Sequence, residues 1–251
     1  MSQYAYDQIT ERDCDFKPLF RIGGVAALVQ LACLLVIMGL TITFGEKLTT
    51  AAEHINSLQE NRVIGFLRGD FLTLSLIFPY LLTLPALYIA LRRTHSTFTI
   101  LAMIFGLVGV TTCFATNSGL SLLYLSDLYT AATSDALRTQ YMAATEAVIA
   151  SDMWNSSGAF ISGILLQGAG VLLSWVMLQS RDFSKVTAYA GLLANGFDLI
   201  QHLLHHFLPQ LSQILLMIAG PFYVVWFLML GLDLFRRGRN ESGIQKTPAN
   251  K

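Results

Sequence analysis

Asp198, His202 and His206 recur at every fourth position of the segment Leu193-Ala-Asn-Gly-Phe-Asp-Leu-Ile-Gln-His-Leu-Leu-His-His-Phe207. On a helix of 3.6 residues per turn that spacing puts all three on one stripe, which Asn195 and His205 extend. Three of the chain's five histidines fall here. An ionisable side chain at bilayer depth is costly and usually meets a partner, a metal or water. Three readings follow. Carboxylate and imidazole bind zinc, iron or manganese, so Asp198, His202 and His206 form a candidate set for a divalent metal, zinc first. An Asp–His stripe can also carry a proton or ion, with an imidazole that titrates near pH ~6.5. In the third reading the polar residues are structural or line a pocket for a lipid or small ligand. That pocket would comprise Asn195 and Asp198 with Asn117 and Asn155 reaching across the bundle.

The stripe is ~12 Å long from Asp198 to His206, so one straight helix does not close a metal site. A further ligand must come from elsewhere. Asp70, Asn117, Ser121, Asp127, Asp152, Asn155 and His54 are the candidates on the same side of the expected bilayer.

Positioning these residues is a matter for membrane helices. The chain has 251 residues, of which 54% are hydrophobic and only 13% charged, with a mean hydropathy of +0.55. A soluble domain carries roughly 25% charged residues, so the composition defines an integral membrane protein. Formal net charge is zero, and no basic field points to nucleic acid. Cys14, Cys33 and Cys113 share no close spacing, so neither a disulfide framework nor a zinc knuckle is implied. Walker, Rossmann, nucleophile-elbow and HExxH patterns do not occur. No predicted span contains lysine, which argues against a retinal Schiff base.

Crossing a bilayer takes about 20 apolar residues, and six runs qualify: Ile22–Phe44, Phe71–Leu91, Phe98 to about Leu125, Asn155–Leu178, Val186–Phe207 and Ile214–Phe235. The expected fold is an all-α polytopic bundle of six transmembrane helices with cytoplasmic termini. Residues 1–19 form a cytoplasmic segment, 20–238 the bundle and 239–251 a disordered cytoplasmic tail. Met1–Pro18 lacks the regions of a signal peptide and is expected to stay on the mature protein. With the N-terminus inside, the inner segments hold twelve Lys and Arg and the outer loops four, Lys47, Arg62, Arg68 and Arg138. This obeys the positive-inside rule.

Two outer loops carry helical stripes. One places Leu48, Ala52, Ile55, Val63, Phe66 and Phe71 at roughly helical spacing. The other places Leu137, Tyr141, Ala144 and Val148 at i, i+4, i+7 and i+11. Each is either an amphipathic helix on the membrane surface or a helix packed on the bundle. Pro79, Pro85 and Pro221 predict kinks. Gly106, Gly109, Gly163, Gly168 and Gly170 suit close helix contacts. Asp233 precedes Arg236 and Arg237 by three and four residues, which predicts a same-face ion pair.

Several motifs carry a resemblance. They are Arg21-Ile-Gly-Gly24, Ala86-Leu-Tyr-Ile-Ala-Leu-Arg-Arg93, and Ser180-Arg-Asp-Phe-Ser-Lys-Val186 leading into Tyr189-Ala-Gly-Leu-Leu193. With the order of spans, they resemble a family of prokaryotic membrane proteins described only as a domain of unknown function, over about Phe20 to Gly238. That resemblance implies six spans in a bacterial or archaeal cytoplasmic membrane and carries over no catalytic residue. The His202-x3-His206 spacing is also similar to part of the zinc site of alkaline ceramidase and progestin-receptor-like membrane hydrolases. The third histidine and seventh span of those proteins have no counterpart here. The resemblance implies a metal-dependent hydrolase acting on a lipid at the outer leaflet. The functional expectation is an integral membrane protein with a polar Asp/His pocket near its outer face, binding a lipid or small ligand. A metal-dependent hydrolase and a small proton-coupled transporter are the alternatives.

Overall fold

The computed structural model describes residues 16–45 and 47–240. The expectations for the N-terminal segment and for the tail beyond Asn240 lie outside the described residues. Within them every regular element is helical. In chain order the helices are α1 (Lys17–Phe44), α2 (Ala51–Glu60), α3 (Arg62–Phe66), α4 (Leu72–Ile77) and α5 (Tyr80–Leu91). They continue with α6 (Ser96–Ala115), α7 (Gly119–Ala131), α8 (Asp135–Ala150), α9 (Ser157–Gln179), α10 (Lys185–Leu204) and α11 (Pro209–Asn240). A π-helical turn, Leu67–Phe71, joins α3 to α4.

Five stretches are long and apolar enough to cross a membrane: Lys17–Phe44, Leu72–Leu91, Ser96–Ala131, Ser157–Gln179 and Pro209–Arg239. The run expected at Val186–Phe207 coincides with α10, a helix of 20 residues. Asn195, Asp198, Gln201 and His202 lower its hydropathy and keep it out of that set. Two expected spans are interrupted. Pro79 separates α4 from α5, as its missing N–H and ring demand, while Pro85 and Pro221 lie inside α5 and α11. The run expected to reach Leu125 stops at Ala115, because Asn117 Oδ1 accepts from the Gly119 amide at 3.2 Å and restarts the chain as α7. At the far end of α1, Gly45 takes a positive φ of 84°. Glycine adopts the left-handed cap that other residues resist.

The chain divides into two compact units. The first comprises residues 16–31, 79–107 and 167–240, and so holds the start of α1, all of α5, the start of α6, the end of α9, and α10 with α11. Trp226, Phe20, Phe227, Leu84, Leu173 and Leu234 are among its fully buried side chains. Small residues set its helix crossings. A β-carbon on Gly23 would lie 2.5 Å from that of Ala86, and one on Gly24 would lie 3.2 Å from the Gly231 carbonyl. Neither crossing tolerates a larger residue without a shift. Asp233, 3% exposed, joins the two arms of the α10–α11 hairpin. Its Oδ2 accepts from the Ser184 amide at 2.9 Å and from Thr187 Oγ1 at 2.5 Å.

The second unit comprises residues 32–78 and 108–166. Here α2, α7 and α8 pack around Ala51, Leu122 and Ile149, with Met142 and Val148 against them. The loop helices are therefore packed helices, and their buried faces match the expected stripes in part, at Leu48, Ile55 and Val148. Helix α2 buries Ala51, His54, Ile55 and Leu58 and leaves Ala52 exposed. Helix α8 buries Thr145 and Ile149, while Leu137 is exposed. Thr50 and Glu53 form a reciprocal capping box at the start of α2. The Thr49 and Thr50 amides, at 2.8 and 3.1 Å from Glu53 Oε2, hold this carboxyl below its ordinary range. Glu146 Oε1 accepts from the Ala51 amide at 3.0 Å and ties α8 to the same helix end.

Candidate functional site

The buried face of α10 carries Asn195, Asp198 and Gln201. Asn195 is fixed first. Its Nδ2 donates to the Gly191 carbonyl one turn back at 2.8 Å, and it sits against Gly170 of α9, where no β-carbon intervenes. Its Oδ1 is thereby turned toward Tyr223 of α11, at 3.4 Å.

Tyr223 is the hub. Its hydroxyl lies 2.8 Å from Asp198 Oδ2 and 2.8 Å from Gln167 Oε1 of α9. One phenolic proton thus faces three acceptor oxygens. Asp198 is only 7% exposed, and its other carboxylate oxygen lies 3.2 Å from His202 Nδ1. The same Nδ1 lies 3.1 Å from the Asp198 backbone carbonyl. Because a carbonyl oxygen only accepts, Nδ1 carries the hydrogen and Nε2 is left for other partners. The His202 side chain is 24% exposed. A continuous line of polar contacts therefore runs from a partly exposed imidazole through Asp198 and Tyr223 to Gln167. Gln201, three residues beyond Asp198 and 8% exposed, leaves its Oε1 without a hydrogen bond.

The structure brings Asp198 and His202 together, as their i, i+4 spacing predicts. His206 is not on the stripe, because α10 ends at Leu204 and residues 205–207 form the turn before Pro209. His206 is exposed there, with its ring 5.1 Å from that of His205. No group of three His, Cys, Asp or Glu residues among the described ones could hold a metal. Asp198 and His202 are the members of the expected metal set that lie together.

Asn117 and Asn155 make their bonds within the second unit. Asn117 Nδ2 donates to Met153 Sδ at 3.4 Å. Asn155 Nδ2 donates to the Ile149 carbonyl at 3.0 Å and to Asp152 Oδ1 at 3.1 Å. Asp152 also caps the turn before α9, accepting from the Trp154 amide at 2.7 Å. His54 is buried in the face of α2, Ser121 is exposed on α7, and the side chain of Asp70 lies outside the described set. Asp127 pairs with Arg62 through two contacts of 2.5 and 2.9 Å. The pair borders a surface groove of about 860 Å³ that Gln59, Thr130 and Arg138 also line.

Sequence reasoning missed Tyr223 and Gln167. Tyr223 stands in an apolar run after Pro221 and reads as an ordinary membrane aromatic. Gln167 offered a signal, since a lone amide at bilayer depth needs a partner for the same reason as Asp198. No family model, no curated protein and no solved structure matches the chain.

Proposed function

We propose that the chain is a multi-pass protein of the prokaryotic cell membrane whose Asp198 centre takes up and releases a proton, as in a small proton-coupled carrier. The resemblance to prokaryotic six-span proteins belongs to the same proposal. The crossings are α1, α4 with α5, α6, α9, α10 and α11, with both termini in the cytoplasm. The excess of Lys and Arg in the short segments on the terminal side supports that orientation. For α10, burial of Asn195, Asp198 and Gln201 against protein supports a crossing despite its polar residues.

One observation carries the proton reading. Asp198 is buried, yet it is bonded on one side to the partly exposed His202 and on the other to Tyr223. Such a carboxyl has a route by which a proton arrives and a network that responds to its charge. A metal centre on Asp198, His202 and His206 draws less support, because the end of α10 separates the third ligand from the other two.

A hydrophobic carbodiimide attacks protonated carboxyls in apolar surroundings. Its attachment to Asp198, read by mass spectrometry of the purified protein, is expected to rise as pH falls. Attachment that ignores pH while the protein stays folded would overturn the reading.

A further inference from the structure

Among the described residues, every Lys and Arg of the first unit falls at one end of it. Specific contacts gather them there. Arg92 lies over the Phe16 ring at 5.6 Å and Arg237 over Phe20 at 5.1 Å, which joins the ends of α5 and α11 to the start of α1. Arg237 also pairs with Asp182, and Asp233 accepts from the Ser184 amide, so the turn between α9 and α10 belongs to the same end. Nine Lys and Arg of the described residues meet two carboxylates, Asp182 and Asp233. Both carboxylates are engaged, Asp182 by Arg237 and Asp233 by Ser184, Thr187 and Arg236.

The seam between α1 and α11 concentrates this charge. Gly24 and Gly231 let the two helices approach, and farther along Arg21 packs on Gly238, its Cγ 3.3 Å from a would-be β-carbon. That contact sets Arg21 beside the Arg237–Arg239 turn. Arg21, Arg236 and Arg239 are all exposed. Each helix also carries an exposed apolar row that leads to these arginines. Arg21, Val25 and Val29 stand at i, i+4 and i+8 of α1, and Leu228, Leu232, Arg236 and Arg239 at i, i+4, i+8 and i+11 of α11. A cation at the head of an apolar row is complementary to an amphiphile with an anionic head. A soluble anion would leave the rows uncovered, and a zwitterionic lipid would bring a cation of its own against the arginines.

We propose that Arg21, Arg236 and Arg239 bind the phosphate of an anionic phospholipid at the α1–α11 seam. Guanidinium groups suit phosphate through paired N–H donors. The acyl chains lie on Val25 and Val29 and on Leu228 and Leu232. The site shares no residue with the Asp198 centre and rests only on the placement of α1 and α11 in the membrane, so the two can fail separately.

The test is native mass spectrometry of the purified full chain in detergent, titrated with phosphatidylglycerol or with phosphatidylcholine of the same acyl chains. The wild type should retain phosphatidylglycerol about tenfold more tightly. Arg21→Gln/Arg236→Gln/Arg239→Gln should abolish that preference, and the three Lys replacements should keep it in large part. Arg21→Gln alone, which leaves the Arg237–Asp182 pair intact, should lower the preference about twofold. Arg138→Gln, in the second unit, should leave it unchanged. Equal retention of the two lipids by the wild type, or an undiminished preference in the folded Gln variants, would overturn the site. Glycerol 3-phosphate held as tightly as phosphatidylglycerol would overturn a lipid as its occupant. None of these outcomes alters the pH-dependent carbodiimide labelling of Asp198, which tests the proton centre by itself.

Discussion

Gly170 and Asn195 meet so closely that a β-carbon on Gly170 would stand 2.0 Å from Asn195 Oδ1. The absence of one side chain on α9 thus positions the amide that faces Tyr223. Gly170→Ala should force α9 and α10 apart or turn the amide, at a cost of about 1–3 kcal/mol typical of overpacking. Gly168→Ala is the matched control, because nothing lies within 4 Å of its would-be β-carbon. It should be neutral or slightly stabilising through helix propensity. Thermal unfolding in detergent, followed by tryptophan fluorescence, distinguishes the two variants.

Tyr223→Phe keeps the ring, stacked 5.7 Å from Phe227, and removes only the hydroxyl. Asp198 and Gln167 share one phenolic proton, so one of them loses its donor, and a buried unsatisfied group costs about 1–3 kcal/mol. The melting temperature should fall. Because the two groups share that hydroxyl, the loss in Tyr223→Phe combined with Asp198→Asn should be smaller than the sum of the single losses. Additive losses would show that the contact carries no coupling.

Glu53 makes the start of α2 sensitive to acid. Its carboxyl is held below the ordinary range, chiefly by the Thr49 amide and then by that of Thr50. The sign follows from linkage: a depressed carboxyl pKa stabilises the fold above the unfolded value and loses that stabilisation as pH falls through the folded one. Hydrogen exchange at the Thr49 and Thr50 amides should therefore accelerate with acid, beyond its intrinsic pH dependence, at pH values below about 4.3. In Glu53→Gln that extra dependence should vanish.

Asp233→Ala should loosen the first turn of α10. The Ser184 amide and the Thr187 hydroxyl both lose their acceptor, a loss of about 1–3 kcal/mol for buried groups. Limited proteolysis should cut first within Ser180–Lys185. Retained protection would show that Arg237, which pairs with Asp182, holds the turn by itself.

The helices were largely legible, because apolar runs of about 20 residues allow few other structures. Pro79 marks one interruption, whereas the expected run to Leu125 passes over Asn117-Ser-Gly119, a loop signal inside an apolar run. The loop stripes were harder. A period places a face only to within a residue or so, and α8 turns Thr145 and Ile149 inward, with Val148 packed against the same cluster as Ile149 and Leu137 exposed. Asp233 behaved as a cap for the neighbouring helix, with Arg236 at 3.5 Å and Arg237 drawn to Asp182. Spacing along one helix does not reveal a partner on another. The Asp198 centre divides the same way. Asp198 and His202 share a helix, and their spacing pairs them. His206 lies in the turn that Pro209 ends, beyond the reach of that spacing. Tyr223 and Gln167 reach Asp198 only through helix packing, which no spacing encodes.

Infrared difference spectra between neutral and acidic pH, on the wild type beside Asp198→Asn in lipid, test the proton centre most directly. A protonated carboxyl band should appear with acid in the wild type and be missing from Asp198→Asn. The band should shift in Tyr223→Phe, because the phenol is bonded to that oxygen. A difference spectrum unchanged by Asp198→Asn would contradict it.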